Sequence, residues 1–135
     1  MQPKKTKYRK YYKPRQLPKA SNKMYKLQPN SFLTLIATES AYLNSKQIEA
    51  ARQSIRRSIK RKGRLKIHLF TDIGISNKSS ASRMGKGKGK VNYWVGKLSA
   101  GQTLFELTGI PLKEGALALK RGANKLPLKL QVYEQ

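Results

Sequence analysis

Residues 45–70 read SKQIEAARQSIRRSIKRKGRLKIHLF, and the spacing of their apolar side chains changes half-way along. Ile48, Ala51, Ile55 and Ile59 recur at intervals of three and four, which is the period of one face of an α-helix. Leu65, Ile67 and Leu69 recur at intervals of two, the period of a half-buried strand. The first pattern predicts a helix from Lys46 to about Lys62. Ser45 serves as its N-cap, Glu49 sits in the first turn against the positive helix end, and Gly63 stops it. The second predicts a strand from Arg64 to Phe70 whose outer face carries Arg64, Lys66 and His68.

Working outward, Ser31 to Thr38 (SFLTLIAT) is apolar and β-branched and reads as a strand. Residues 71–90, TDIGISNKSSASRMGKGKGK, read as one long loop, a length that is usually functional or disordered. Val91–Leu98 and Thr103–Thr108 read as strands joined by residues 99–102 into a hairpin. Pro111 at a first helical position opens a second helix with Leu112, Ala116, Leu119 and Ala123 on one side. Gly115 and Gly122 weaken that helix by roughly 1 kcal/mol each, so packing must hold it. Leu128, Leu130 and Val132 alternate as a last strand. The order β-α-β-loop-β-β-α-β, without internal repeats, is that of a single α+β domain over residues 30–135.

The 135 residues include 30 Lys and Arg against 6 Asp and Glu, a formal net charge of +24. No cysteine is present, which excludes disulfides and thiolate metal sites. No apolar run approaches the roughly 18–20 residues of a membrane helix, so no membrane partner is expected. A chain so charged repels itself, and a polyanion in the folded assembly is the physical remedy. Nucleic acid is therefore the leading partner before any motif is read.

Residues 1–29 are an extended basic arm. No acid precedes Glu39, and Lys4, Lys5, Lys7, Arg9, Lys10, Lys13 and Arg15 alternate with Tyr8, Tyr11 and Tyr12. Tyrosines stack on unpaired bases while cations track phosphates. The competing readings are a solubilising tail and a cleaved targeting peptide; four prolines count against the helix that such a peptide forms. On the first helix, Arg52, Arg56, Arg57, Lys60 and Arg61 cover much of the circumference outside the apolar stripe. With Glu49 as the one acid among them, this face suits phosphate better than water alone.

The segment Arg83-Met84-Gly85-Lys86-Gly87-Lys88-Gly89 has neither the spacing of a nucleotide phosphate loop nor that of a dinucleotide fingerprint. Alternating glycines let backbone approach a crowded surface, and the lysines neutralise phosphates on either side. A flexible linker would explain the glycines but not a cation at every other position. His68 stands alone, and the acids Glu39, Glu49, Asp72, Glu106, Glu114 and Glu134 are scattered. Neither a zinc site nor a catalytic triad can be assembled, so no catalytic residue, metal or cofactor is expected. An RNA-acting enzyme would need Asp72 and a Glu brought together by folding.

Three stretches go beyond composition: Gln2–Lys10 (QPKKTKYRK), Gln47–Arg52 (QIEAAR), and Arg83–Gly89 (RMGKGKG) followed by Tyr93-Trp94-Val95. With Lys125–Lys129 (KLPLK), they resemble the bacterial-type large-subunit ribosomal protein sixteen family in order and spacing. The resemblance spans nearly the whole chain. It implies an α/β-hammerhead fold and a structural role in the large ribosomal subunit. It also implies partners in large-subunit ribosomal RNA, neighbouring ribosomal proteins and tRNA in the aminoacyl and peptidyl sites, with no homo-oligomer. Carried over, Lys4, Lys5, Lys7, Arg9 and Lys10 go to ribosomal RNA, and Arg83, Met84, Lys86 and Lys88 lie near RNA and tRNA.

Two stretches depart from the family pattern. Asn30–Leu35 replaces a glycine-rich stretch before the first helix, and Thr71-Asp72-Ile73-Gly74 replaces Pro-Asp-Lys-Pro. Together with a composition rich in Lys, Asn, Tyr and Ser and a start at the family's own N-terminus, they point to a mitochondrial member made inside the organelle. Bacterial cytoplasm and plastid are the alternatives. The rival function is a free DNA- or RNA-binding protein with residues 46–62 as a recognition helix.

Overall fold

The computed structural model describes residues 2–8, 10–20 and 33–134. Seven strands and two helices follow in the order β1 (Leu33–Ala37), β2 (Ala41–Asn44), α1 (Ser45–Ser58), β3 (Arg64–Ile67), β4 (Ile73–Asn77), β5 (Lys90–Leu98), β6 (Thr103–Thr108), α2 (Leu112–Ala123) and β7 (Leu130–Glu134). The fold is mixed α+β, as the patterning predicts. Ser31 and Phe32 of the expected first strand lie outside the described residues. Two strands exceed the expected count. β2 is four residues long, too short to show a period, and β4 lies inside the stretch expected to be loop.

The strands form two antiparallel sheets, β3-β6-β1-β7 and β2-β5-β4. The expected hairpin between residues 91–98 and 103–108 does not form, because β5 and β6 belong to different sheets. Residues 99–102 instead carry the chain round a corner, and residues 38–40 make the same crossing between β1 and β2. The two crossings are tied together. Gly101 N donates to Ala37 O at 2.7 Å, Ala37 N to Gln102 O at 3.0 Å, and Ala100 N to Ser40 Oγ at 2.9 Å. Gly101 holds φ +82°, a backbone state that a side chain would resist.

The apolar stripe of α1 is buried as its spacing predicts, with Ile48, Ala51, Ile55 and Ile59 all in the core. Its boundaries differ. Asn44, not Ser45, is the N-cap: its side chain accepts from Lys46 N, and Gln47 Oε1 accepts from Asn44 N at 2.9 Å, closing a capping box. The helix ends at Ser58 rather than near Lys62, and Lys60 and Arg61 follow in the left-handed region at φ 49° and 65°.

On α2 the expected apolar side holds except at its first residue. Leu119 is buried and Ala116 and Ala123 pack against the core, but Leu112 is 46% exposed, and Gly115, Ala118 and Gly122 complete the buried face. α2 packs between the four-stranded sheet and α1, and its glycines stand at the points of closest approach. A Cβ on Gly115 would collide with Leu33 Cδ1, and one on Gly122 with Ile55 Cγ1 and Cδ1. The glycines that weaken the isolated helix let it dock. Pro111 is the residue before the helix rather than its first.

His68 was expected on an outer face. It is instead half-buried, with Nε2 2.6 Å from Oε2 of the buried Glu106. Glu106 lies on the central strand β6, opposite Lys66 of β3 and Thr34 of β1. A carboxylate there needs a partner, and His68 supplies it.

Candidate nucleic-acid interface

On α1, burial of the apolar stripe turns the remaining side chains outward. Arg52, Gln53, Arg56, Arg57 and Arg61 line a shallow concavity of about 440 Å³. Arg52 is engaged within the protein: Nε and an Nη donate to the two oxygens of Glu49 at 2.8 and 2.6 Å. This bidentate contact holds the Glu49 carboxyl well down, to about 2, from its ordinary 4.5. Arg56 donates to Gly63 O at 3.0 Å, closing the helix end. Arg57, Lys60 and Arg61 are exposed. Lys60 and Arg61 leave the helical path, because two successive left-handed residues turn the chain towards β3. Such conformations cost a non-glycine residue about 1–2 kcal/mol each.

The glycine–lysine loop runs from the end of β4 to the start of β5, shortened to residues 78–89 by the strand within it. Arg83, Met84, Gly85, Lys86 and Gly87 are exposed, Met84 completely, whereas Lys88 and Gly89 are half-buried. Gly85 and Gly87 hold φ +91° and +80°, and a Cβ on either would meet no atom within 4 Å. The turn therefore needs glycine for its backbone, and the space beside it is open. Gly89 differs, since a Cβ there would strike the Asn77 carbonyl. Lys78 Nζ donates to Gly85 O at 2.5 Å and fastens the loop across its base. The loop encloses a concavity of about 590 Å³ lined by Lys78, Arg83, Lys86, Lys88 and Lys90 with the intervening small residues.

The described part of the arm, residues 2–8 and 10–20, contains no helix or strand, and it lies against the loop and the smaller sheet. Lys10 Nζ donates to Lys88 O, and Lys88 Nζ donates back to Tyr11 O, both at 2.7 Å. Lys88 Nζ also stands 3.9 Å from the centre of the Tyr12 ring. Tyr11 OH donates to Asp72 O at 2.7 Å and Tyr42 OH to Gln16 O at 2.8 Å. Burial pushes the Tyr11 hydroxyl pKa up, helped by the Asp72 charge and opposed by a hydrogen bond from the Gly74 backbone. Pro3, Lys4, Thr6 and Lys10 border a concavity of about 500 Å³ with Lys90, Val91 and Trp94. Lys4, Lys5, Lys7, Lys10, Lys13 and Arg15 are exposed; Arg9 and residues 21–29 of the expected arm lie outside the described residues.

Arm and loop thus come together, while the α1 cations form a separate surface. Among the described residues the ion pairs are Arg52–Glu49, His68–Glu106 and Lys129–Glu39. The exposed cations of arm and loop therefore have no carboxylate partner there. Arg121 and Lys125, which periodicity did not single out, also line a concavity with α1. Their proximity to Arg57 depends on helix packing, which no local pattern encodes. Among the described residues no cluster of His, Cys, Asp or Glu could hold a metal, and no helix is long and apolar enough to cross a membrane.

A family model described as ribosomal protein L16p/L10e matches residues 3–133. The chain belongs to that family. The large ribosomal subunit protein uL16 of Sphingopyxis alaskensis is 46% identical over 132 residues, covering 98% of this chain and 91% of the relative. That of Parvibaculum lavamentivorans is 44% identical over 129 residues, covering 96% and 91%. The uL16 of Erythrobacter litoralis is 46% identical over 132 residues, covering 98% and 90%. The L16p/L10e match takes in the described arm from Pro3, the α1 surface and the whole loop.

Proposed function

We propose that this protein is a structural constituent of the large ribosomal subunit, not an enzyme, and that it holds folded ribosomal RNA by charge. Membership of the L16p/L10e family across residues 3–133 carries the structural role. The exposed cations of the arm, the α1 surface and the loop support the RNA chemistry, since phosphates supply the anionic partners that these cations lack among the described residues. Residues 30–135 serve as the single scaffold domain and residues 1–29 as its basic arm, of which the described part, 2–8 and 10–20, offers its cations to RNA. At the loop tip, Arg83, Met84 and Lys86 are free to meet RNA or tRNA near the peptidyl-transferase region. Lys88 positions the loop instead, because its ammonium is held by Tyr11 and Tyr12. The compartment we favour is the mitochondrion, on the Lys- and Tyr-rich composition; the bacterial relatives fit the alternative of a bacterial cytoplasm.

Sedimentation of lysate from the source cells and from their mitochondria tests the assignment. The chain is expected to travel with large subunits through gradients at physiological salt. Recovery at the top of the gradient, or from subunits of a different compartment, would overturn the function or the location respectively. In the same system, Arg83→Ala with Lys86→Ala should reduce tRNA binding and peptide synthesis more than the yield of large subunits. Normal translation by subunits carrying the double variant would remove the tRNA role.

A further inference from the structure

The two helices carry a second cationic feature. Ala50, Gln53, Ser54, Arg57 and Ser58 of α1 face Arg121 of α2 and Lys125 beyond it across a groove of about 480 Å³. Gly122 is why the groove exists. Without a Cβ it lets α2 rest on Ile55, which brings Arg121 beside the α1 serines. Arg121 Nη1 donates to Ser58 Oγ at 3.1 Å, and Ser54 Oγ donates to Arg121 O at 3.4 Å. The guanidinium is thereby oriented across the gap. Gln53 and Arg57 also line the neighbouring arginine concavity, so the two hollows form one continuous strip.

Helix dipoles account for little of this charge. Each helix C-terminus contributes about half a negative charge. Arg56, Arg57, Arg61, Arg121 and Lys125 set five positive charges against that, and none of the five is in an ion pair among the described residues. Like charges gathered along two adjoining hollows repel one another, which is unfavourable unless an anion occupies the site.

The chemistry of the lining selects among nucleic acids. It offers guanidinium, ammonium, hydroxyl and carboxamide groups and no aromatic ring. Base stacking, which unpaired RNA uses on proteins, has nothing to act on there. Phosphate and 2′-hydroxyl contacts are the means by which double-stranded RNA is recognised. We infer that the α1–α2 groove, with Arg57, Arg121 and Lys125 as its anchors, binds the sugar–phosphate backbone of a double-helical RNA segment, while the arm and loop take RNA of another form. This deepens the ribosomal RNA reading and rests on it.

The test uses the full chain with two probes, a blunt 20-base-pair RNA duplex and a 12-nucleotide oligouridine. Replacing Arg57, Arg121 and Lys125 by Gln should weaken duplex binding on the order of a hundredfold at 0.1 M salt. The log–log salt slope should become shallower by about two to three units. Oligouridine affinity should change far less. Replacing Lys4, Lys7 and Arg15 by Gln removes the same charge, and should give the opposite ranking. Equal losses on both probes from both triple variants would mean net charge alone, and would overturn the groove. On the unaltered chain, duplex but not oligouridine should shield Lys125 from amine acetylation, read by mass spectrometry; equal acetylation with and without bound duplex would also overturn it. If the unaltered chain binds neither probe at low salt, the failure lies with the RNA-binding reading itself.

Discussion

The α1–α2 groove and the arm–loop surface are both cationic, yet they are built differently. The groove rests on buried packing: Ile55, Ala51 and Gly122 are in the core, and the cations project from a rigid helix pair. The arm and loop are held by a few polar contacts, chiefly Lys10 with Lys88 and Lys88 with Tyr11 and Tyr12. The groove has no ring in its lining, whereas Tyr8 and Tyr12 are exposed on the arm and Trp94 borders its concavity. Similar charge is thus set on supports held by different means, packed apolar side chains in one and a few polar contacts in the other, and with different capacity for stacking. On the function proposed above, charge would attract RNA to both surfaces, and the presence or absence of rings would decide which form of RNA each holds.

The strongest way to break this contrast is at Gly122. Gly122→Leu places a side chain against Ile55 and close to Ala51 O. It should destabilise the protein by about 3 kcal/mol through overpacking. Urea unfolding of the purified chain measures this, and an unchanged midpoint would show that the helices do not need the close approach. On the other surface, Lys88→Met removes a hydrogen bond and a cation–π contact, a local loss of about 1.5 kcal/mol. Faster amide exchange confined to residues 10–12 and 86–89 is expected, with little movement of the global midpoint. If exchange is unaltered, arm and loop are not coupled through Lys88.

Smaller changes sharpen the comparison. Arg61→Gly relieves a left-handed backbone, and should raise stability by about 0.5–1 kcal/mol after the added unfolded-state entropy is set against it. Duplex RNA binding should weaken at the same time. A stabilised variant that binds normally would show that the strain serves no interface. The least effect belongs to Glu49. Its lowered pKa means that the contact with Arg52 contributes fully above about pH 4.5 and is lost as pH falls towards 2. Both side chains are more than a third exposed, so Glu49→Gln should cost under about 0.5 kcal/mol at pH 7. Releasing Arg52 should steepen the salt dependence of duplex binding by up to about 0.9 unit. A shallower slope would show that Glu49 serves to hold Arg52 in a binding geometry.

Periodicity made α1, its buried stripe and the basic side chains left outside that stripe legible, because those depend on spacings of three and four within one helix. It also marked the glycine–lysine loop, whose composition has no use in a core. It missed β2 and β4, since four residues show no period and the Gly74 of β4 interrupts one. It placed β5 and β6 in a hairpin because a turn motif does not reveal which partner each strand takes. It set His68 on an outer face, where the carboxylate of Glu106, 38 residues away, draws it in.

The chain by itself therefore determined the polyanionic character of the partner, the helices and the family, all of which follow from composition, local spacing and short motifs. Tertiary structure alone decided that the arm clasps the loop through Lys88, that the α2 glycines face inward, and that Arg121 and Lys125 stand opposite Arg57. Those are distances between residues far apart in the chain, set by how closely two surfaces can approach once their side chains have been packed.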